Sequence, residues 1–343
     1  MESLTLPPLH QSASIALTDE TGIGAARRLA STWAAASGFD DTRAGKLSLV
    51  VTEAASNALH HAREGEVLLR QLRSANGEGI EVVVLDRGPG MRNVEQALVD
   101  GYSTRGTRGV GLGSIARNTD TFEVFSAPGR GTVLVAQLWN TQQTAGDGRV
   151  FGAVCLPIRG EKVCGDGFGV SMLAERTRIL LMDGLGHGQG AADATLVGIR
   201  TFLSSSSAGP AGMLAQMHEA MRSTRGAAAA VVDIEPGQER LRFAGVGNCA
   251  GSIFDRRGAR PQGLASHNGT VGAQLPRVNE FNHTWPSDGL LVMHTDGLAT
   301  RWNLDDYPGL AGRHPSLIAA VLYRDFSRGR DDVTVLAFST RSA

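Results

Sequence analysis

The sequence predicts an α+β protein of two domains, and three observations predict it. Apolar residues recur at helical spacing in some stretches and alternate at strand spacing in others. A polar stretch, NTQQTAGDGR at 140–149, carries no apolar pattern, and strand character restarts after it. The length of 343 residues fits two domains of about 100–200 residues each. The first half reads as helices on one side of a small sheet. The second half is richer in strands, with a few helices, and no internal repeat relates the two.

The elements follow in order. Residues 44–62 form a helix, because Leu47, Val50, Val51, Ala54, Ala58 and Leu59 recur at its period. Residues 66–73 and 80–85 are strands joined by the turn SANGEG. A glycine-rich stretch runs from 86 to 113, and a helix continues over 114–119. Strands at 121–126 and 132–138 are joined by APGRG. Beyond the linker at 141–149, strands are expected at 150–157, 167–173 and 177–183. Helices follow at 191–204 and 211–223, then strands at 227–235, 240–246, 251–255, 289–294 and 333–339. The expected domains are therefore 1–140 and 150–343.

Composition excludes several classes. Glycine is 44 of 343 residues, about 13% against roughly 7% in ordinary usage. Proline is 12 and there is no G-X-Y period, so the surplus is neither collagen nor low complexity. Glycine costs backbone entropy, so the surplus belongs where the chain needs unusual dihedrals or close approach to a ligand. A hydrophobic fraction of 42% excludes global disorder. Lys+Arg 33 against Asp+Glu 34 lacks the basic surplus of a general nucleic-acid binder. Cys155, Cys164 and Cys249 are odd in number and widely spaced, which reads as reduced buried thiols. MESLTLPPLH has no basic segment leading into an apolar stretch, and no run approaches the ~18 apolar residues of a membrane span. The expectation is a cytoplasmic protein with neither nucleic-acid nor membrane partners.

Two groups of residues carry chemistry. In EAASN, Glu53 and Asn57 stand one helical turn apart on one face. An Asn on a largely apolar face needs partners for its amide. LDRGPGM places Asp86 at a strand end, followed by Gly88 and Gly90. RGTRGVGLGSIARN sets Gly109, Gly111 and Gly113 at a helix start, where exposed N–H groups favour phosphate. In order and spacing, these three boxes resemble the GHKL (Bergerat-fold) ATPase superfamily, and within it the anti-sigma-factor and switch serine kinases of the RsbW/RsbT type. The resemblance covers about residues 14–139 and implies a Bergerat-fold α/β sandwich. It implies that Asn57 coordinates Mg²⁺ between the phosphates of ATP and that Asp86 accepts the adenine amino group. Gly88 and Gly90 would let the backbone approach the base. Gly109, Gly111 and Gly113 would cradle phosphate under a lid at 102–108. Arg105 and Arg108 on that lid are phosphate contacts or solvated lid charges. Glu53 would be the general base that takes a proton from water or a substrate serine. His60 and His61 read as surface or packing residues.

The second half carries acidic residues in distinctive settings: Asp166 in VCGDGFG, Asp183 in LLMDGLGHG, Asp296 in MHTDGLA, and the pair in GRDDVTVL. Carboxylates at strand ends can converge above a sheet, and hard cations such as Mg²⁺ and Mn²⁺ select them. The series resembles the PPM phosphatases of the SpoIIE type over about residues 151–339, and AGVGN at 244–248 looks most like the RsbX form. That resemblance implies an α-β-β-α sandwich holding two Mn²⁺ or Mg²⁺ ions. Asp183 would bridge them, with the Gly184 carbonyl as a further ligand. Asp166 would act through the waters of one metal, while Asp296 and Asp331 hold the other. Asp332 is the alternative to Asp331. Cys164 reads as packing, since no basic phosphate loop accompanies it. His187 follows Asp183 by four residues, which puts a general-acid role in doubt. No clear phosphate-binding arginine stands out; Arg176 and Arg178 flank a strand and read as surface charges.

Together, the two resemblances imply a regulator that opposes a serine kinase-like activity to a phosphoserine or phosphothreonine phosphatase. Its substrate would be a separate protein, of the STAS-domain antagonist kind. The alternative is an N-terminal module that binds ATP and holds a sigma factor or signalling enzyme without transferring phosphate. A homodimer is a further expectation, by analogy only.

Overall fold

A computed structural model describes residues 11–62, 65–99, 111–143, 148–205, 209–258, 260–275 and 277–340. The chain divides into two compact units, Met1–Gly146 and Asp147–Ala343.

The first unit runs β1 (Ala13–Leu17), α1 (Glu20–Ala36), α2 (Asp41–His61), β2 (Gly65–Ser74), β3 (Gly77–Asp86), α3 (Val94–Leu98), α4 (Gly111–Arg117), β4 (Thr121–Ser126) and β5 (Thr132–Trp139). Its strands form one antiparallel sheet in the order β1-β2-β3-β5-β4. The core lies between this sheet and helices α1 and α2, where Leu47, Val50, Val51 and Ala54 of α2 meet Val67, Leu69, Val82 and Leu134. Both helices begin on an aspartate. Asp19 accepts from the Thr21 N–H and Asp40 from the Arg43 N–H, filling donors that a helix start leaves open. The six-residue turn expected at SANGEG contracts to residues 75–76, because β2 and β3 pair as far as Ser74 and Gly77. Thr141 and Gln143 hydrogen-bond to this same hairpin, at the Asn76 carbonyl and the Ser74 hydroxyl.

The second unit runs β6 (Arg149–Leu156), β7 (Asp166–Met172), β8 (Thr177–Gly184), α5 (Gln189–Ser204), α6 (Pro210–Ala220), β9 (Ala227–Glu235), β10 (Arg240–Val246), β11 (Ala250–Asp255), β12 (Gln262–Leu264), β13 (Phe281–Thr284), β14 (Gly289–His294), α7 (Pro315–Phe326) and β15 (Val333–Thr340). Two five-stranded sheets result, β13-β10-β9-β8-β7 and β12-β11-β14-β15-β6. Strand alternation sends Ile179, Leu181, Ala230 and Val232 of the first sheet against Leu291, Met293, Leu336 and Phe338 of the second. The intervening residues Leu180, Met182, Ala229 and Val231 pack instead under α5 and α6. Helix α7 packs on β6 and β15, completing a helix–sheet–sheet–helix stack. No helix among the described residues is long and apolar enough to cross a membrane.

Six elements are absent from the sequence reading: α1, β1, α3, β12, β13 and α7. Helix α1 buries Gly22, Ala26, Ala30, Trp33 and Ala34 along one face, a periodic stripe of mostly small residues that the sequence reading passes over. Strand β1 is an edge strand of five residues. Helix α7 is buried from Pro315 to Leu322 and carries charge only in its last turn, at Arg324 and Asp325.

Candidate functional site

In the first unit, Glu53 and Asn57 lie half-buried along the edge of the apolar stripe of α2. The Asn57 carboxamide faces the start of α4. A Cβ placed on Gly111 would stand 3.0 Å from its Nδ2 and 3.4 Å from its Oδ1. Gly88 approaches the end of α2 in the same way, its would-be Cβ lying 2.8 Å from the His61 carbonyl oxygen. The structure therefore gathers residues from all three boxes around one helix. Gly113 is buried in α4. Arg105, Arg108 and Gly109 lie outside the described residues. His60 and His61 are exposed at the end of α2.

Asp86 closes β3, and its Oδ1 accepts the N–H groups of Gly88 at 2.7 Å and Thr132 at 3.2 Å. Two backbone donors fix the orientation of this carboxylate. Gly90 adopts φ +69, and a Cβ there would stand 2.0 Å from the Ala127 carbonyl oxygen. The Met91 N–H donates to the Ser126 hydroxyl at 2.8 Å, locking the loop onto the β4–β5 turn. Gly131 is part of the same cradle, its would-be Cβ lying 2.1 Å from the Asp86 carbonyl oxygen. Read from sequence, Gly131 is only a turn former, and nothing in the local sequence links it or Thr132 to Asp86.

In the second unit, Asp166 and Asp183 are register partners on β7 and β8. Both follow the alternation that faces the opposite sheet, since Phe168 and Leu181 on the same face lie in the inter-sheet core. From that opposite sheet, Asp296 follows β14, and Asp331 and Asp332 precede β15. A threonine ties the two sheets together at this end. The Thr295 hydroxyl donates to Asp166 Oδ2 at 2.6 Å and accepts the Thr334 N–H at 2.9 Å. Backbones also meet: a Cβ on Gly297 would stand 2.0 Å from the Asp332 carbonyl oxygen, and one on Gly184 would stand 2.6 Å from that of Gly165.

The electrostatics follow from this crowding. Burial raises the Asp183 pKa, and the charges of Asp296 and Asp331 add to it, reaching about 7. Burial, and then the Asp183 charge, holds Asp166 well above the usual carboxylate range. Asn248 moderates the cluster, donating its Nδ2–H to Asp296 Oδ2 at 2.7 Å and a side-chain hydrogen bond to Asp183. Asp183 Oδ2 is buried and has no hydrogen-bond partner. Among the described residues, no three His, Cys, Asp or Glu side chains close into a complete protein ligand set. A buried, unpartnered carboxylate oxygen beside further carboxylates fits a hard divalent cation.

The adjacent aspartates divide clearly. Asp332 is 2% exposed and gives both oxygens to backbone donors, Ile158 N–H at 2.6 Å and Gly165 N–H at 2.7 Å. Asp331 is exposed and accepts only the Asp332 N–H, at 2.9 Å. Asp332 is thus held within the loop, while the charge of Asp331 still acts on Asp183. Cys164 is buried 3.7 Å from Cys155, and burial followed by that neighbour pushes its thiol well up, which suits packing and not nucleophilic attack. His187 is exposed and held through Nδ1 by Glu161 Oε1 at 2.9 Å. Arg176 and Arg178 are no loose surface charges: both pair with the buried Asp233. Sequence reasoning missed Thr295 and assigned no role to Asn248. Only the proximity of each to an aspartate in sequence or family motif hinted at them.

The comparisons follow the same division. Residues 17–138 match the family model of the histidine kinase-like ATPase domain, and residues 174–341 match that of stage II sporulation protein E (SpoIIE). The serine/threonine-protein kinase RsbT of Bacillus subtilis (strain 168) is 28% identical over 131 residues, covering 38% of this chain and 98% of RsbT. An anti-sigma F factor of Thermoanaerobacter sp. (strain X514) is 28% identical over 92 residues, covering 26% of this chain and 64% of that protein. A crystal structure of RsbX in complex with magnesium shares the fold at a TM-score of 0.52 and 20% identity, covering 58% of this chain and 99% of that one.

Proposed function

We propose that this chain, whose residues 17–138 match the histidine kinase-like ATPase domain model and whose residues 174–341 match the SpoIIE model, is a bifunctional partner-switching regulator of the cytoplasm. The second unit removes phosphate from a phosphoserine or phosphothreonine of a separate protein of the STAS antagonist kind. The first binds ATP with Mg²⁺ and phosphorylates that protein or another. The linker between the two activities is taken at 141–149.

One observation carries the phosphatase reading. Asp183 combines an unpartnered buried oxygen with a proton affinity raised by burial and by Asp296 and Asp331. Asp183, Asp296, Asp331 and the Gly184 carbonyl would hold two Mg²⁺ or Mn²⁺ ions, with Asp166 reached through water. When bound, such a pair supplies Lewis acidity and an acidified water for in-line attack on phosphorus. The chain's own residues fix the carboxylates: Thr295 orients Asp166, Asn248 orients Asp296, and Asp332 holds the loop that presents Asp331. In the first unit, Glu53 takes the proton of the acceptor hydroxyl while Asn57, one turn away, serves the metal of the nucleotide. Asp86, oriented by Gly88 and Thr132, accepts the adenine amino group.

The test is hydrolysis of p-nitrophenyl phosphate and a phosphoserine peptide with Mn²⁺. Loss in Asp183→Ala and Asp296→Ala is expected, and survival of activity in both sinks the metal assignment. The anti-sigma F relative favours a second reading of the first unit, as a module that holds a sigma factor or signalling enzyme with ATP as a structural ligand. Transfer of labelled γ-phosphate to a co-purified partner, abolished by Glu53→Ala, supports the kinase; tight ATP binding without transfer supports the module.

A further inference from the structure

One cation beside the acidic centre is unused by the proposed reaction. Arg225 lies in the turn between α6 and β9, and backbone bonds fix that turn. The Thr224 N–H donates to the Met221 carbonyl at 2.8 Å, and the Gly226 N–H donates to the Thr224 hydroxyl at 3.1 Å. The Leu185 N–H donates to the Gly226 carbonyl at 3.1 Å, tying the turn to the segment that follows Asp183.

The guanidinium of Arg225 lies across Gly186 and Gly190. A Cβ on Gly190 would stand 2.7 Å from its Nε and 2.8 Å from its Cζ, and one on Gly186 would stand 3.6 Å from Nη1. Gly186 has φ +80, which already calls for glycine. Gly190 has no such need, since it lies within α5 and outside the left-handed region. Glycine in a helix costs about 1 kcal/mol against alanine. Here the guanidinium occupies the room that the missing Cβ leaves.

Arg225 is exposed and makes no hydrogen bond or ion pair among the described residues. Arg176, Arg178, Arg240 and Arg242 of the same unit pair with carboxylates, while Arg328 and Arg330 beside Asp331 do not among the described residues. Arg225 differs from these in lying against the glycines that follow Asp183. A seated cation without an anion, at the edge of a phosphate-handling site, is placed to receive one from outside. Gly186 is three residues beyond Asp183, a chain span of at most roughly 10 Å. An extended peptide covers that span in about three residues, at ~3.3 Å each.

We propose that Arg225 is a specificity-determining residue that pairs with a carboxylate two or three positions from the phosphoserine of the protein substrate. This rests on the phosphatase reading of the second unit. The test uses the full chain with Mn²⁺, p-nitrophenyl phosphate, and two phosphoserine peptides that differ only in carrying Asp or Lys at the flanking positions. Wild type prefers the Asp peptide. Arg225→Ala lowers the Asp-to-Lys ratio of kcat/KM by about three- to tenfold, the range of an exposed to half-buried ion pair, through KM and not kcat. Arg225→Glu inverts the preference. Equal turnover of the two peptides by wild type overturns the proposal alone. So does a parallel loss on all three substrates in Arg225→Ala, which places the guanidinium on the phosphoryl group or in the fold. Failure of wild type on every substrate overturns the phosphatase reading, and the proposal with it.

Discussion

Replacing Asp332 with alanine removes the acceptor for two backbone donors, the N–H groups of Ile158 at 2.6 Å and Gly165 at 2.7 Å. The side chain is 2% exposed, so water does not replace it without a rearrangement of the loop. A buried donor left unpaired costs about 1–3 kcal/mol, so two cost about 2–6 kcal/mol. For a unit the size of residues 147–343, that lowers Tm on the order of 10 °C. Asp332→Asn keeps one acceptor oxygen but turns an amide N–H toward the other donor, so it recovers about half of the loss at best. The neighbouring substitution behaves differently. Asp331 is exposed and accepts only one adjacent N–H, so Asp331→Ala costs about 0.5 kcal/mol or less. Its hydrolysis of p-nitrophenyl phosphate with Mn²⁺ is nevertheless lost. Differential scanning calorimetry of both variants, alongside the hydrolysis assay, reads the two effects separately. An Asp332→Ala protein melting within about 2 °C of wild type refutes the scaffold role, and an active Asp331→Ala protein refutes the ligand role.

Three further outcomes are expected. Asp183, raised to about 7 by burial and then by Asp296 and Asp331, binds more protons folded than unfolded between about pH 4 and pH 7. Metal-free stability contributed by this group therefore falls as pH rises through that window, and Asp183→Asn removes the fall while abolishing hydrolysis. Melting in EDTA at pH 5 and pH 8 checks this: the variant gains on wild type at pH 8, and parallel melting at both values contradicts it. Gly90→Ala sets a Cβ 2.0 Å from the Ala127 carbonyl oxygen at φ +69, which destabilises the first unit by about 1–3 kcal/mol and weakens ATP binding in calorimetric titration. Glu53→Gln retains ATP binding and loses about 10²–10⁴ in phosphate transfer; unchanged transfer assigns the base elsewhere.

Much of the fold was legible because its signals are local. Most strands of the three sheets alternate or run apolar, and α2 and α5 carry clear stripes, so periodicity locates them. Helices α1 and α7 also carry a local pattern, which the sequence reading passes over. The strands β1, β12 and β13, of three to five residues, escape periodicity because they are too short to show one. The site divides along the same line. Asp86, Asp183 and Asp296 stand next to glycines in short motifs, and a motif can be read. Thr132 reaches Asp86 from 46 residues away, and Thr295 reaches Asp166 from 129 residues away. Pairings at that range are set by sheet register, which single-sequence pattern does not fix. The choice between Asp331 and Asp332 belongs here too, because it depends on the distant N–H groups of Ile158 and Gly165.

The hydrogen-bond state of each carboxylate separates roles that the sequence leaves alike. Asp86 and Asp332 have oxygens pinned by pairs of backbone N–H groups, the state of a carboxylate that orients something. Asp332 is held within its own loop, and Asp86 at the end of β3 by the Gly88 and Thr132 N–H groups. Asp166 accepts a hydrogen bond from Thr295 on one oxygen and is 2% exposed. Asp183 alone combines a buried oxygen lacking any partner with charges pressing on it from Asp296 and Asp331. A folded chain retains such an atom only where a proton or a cation completes it, since an unpaired buried charge is otherwise too costly. At pH 8, above its pKa of about 7, Asp183 is mostly without a proton. The cation is then what completes it. Divalent ions should therefore raise the Tm of the wild-type protein more at pH 8 than at pH 5, and Asp183→Asn should remove that difference.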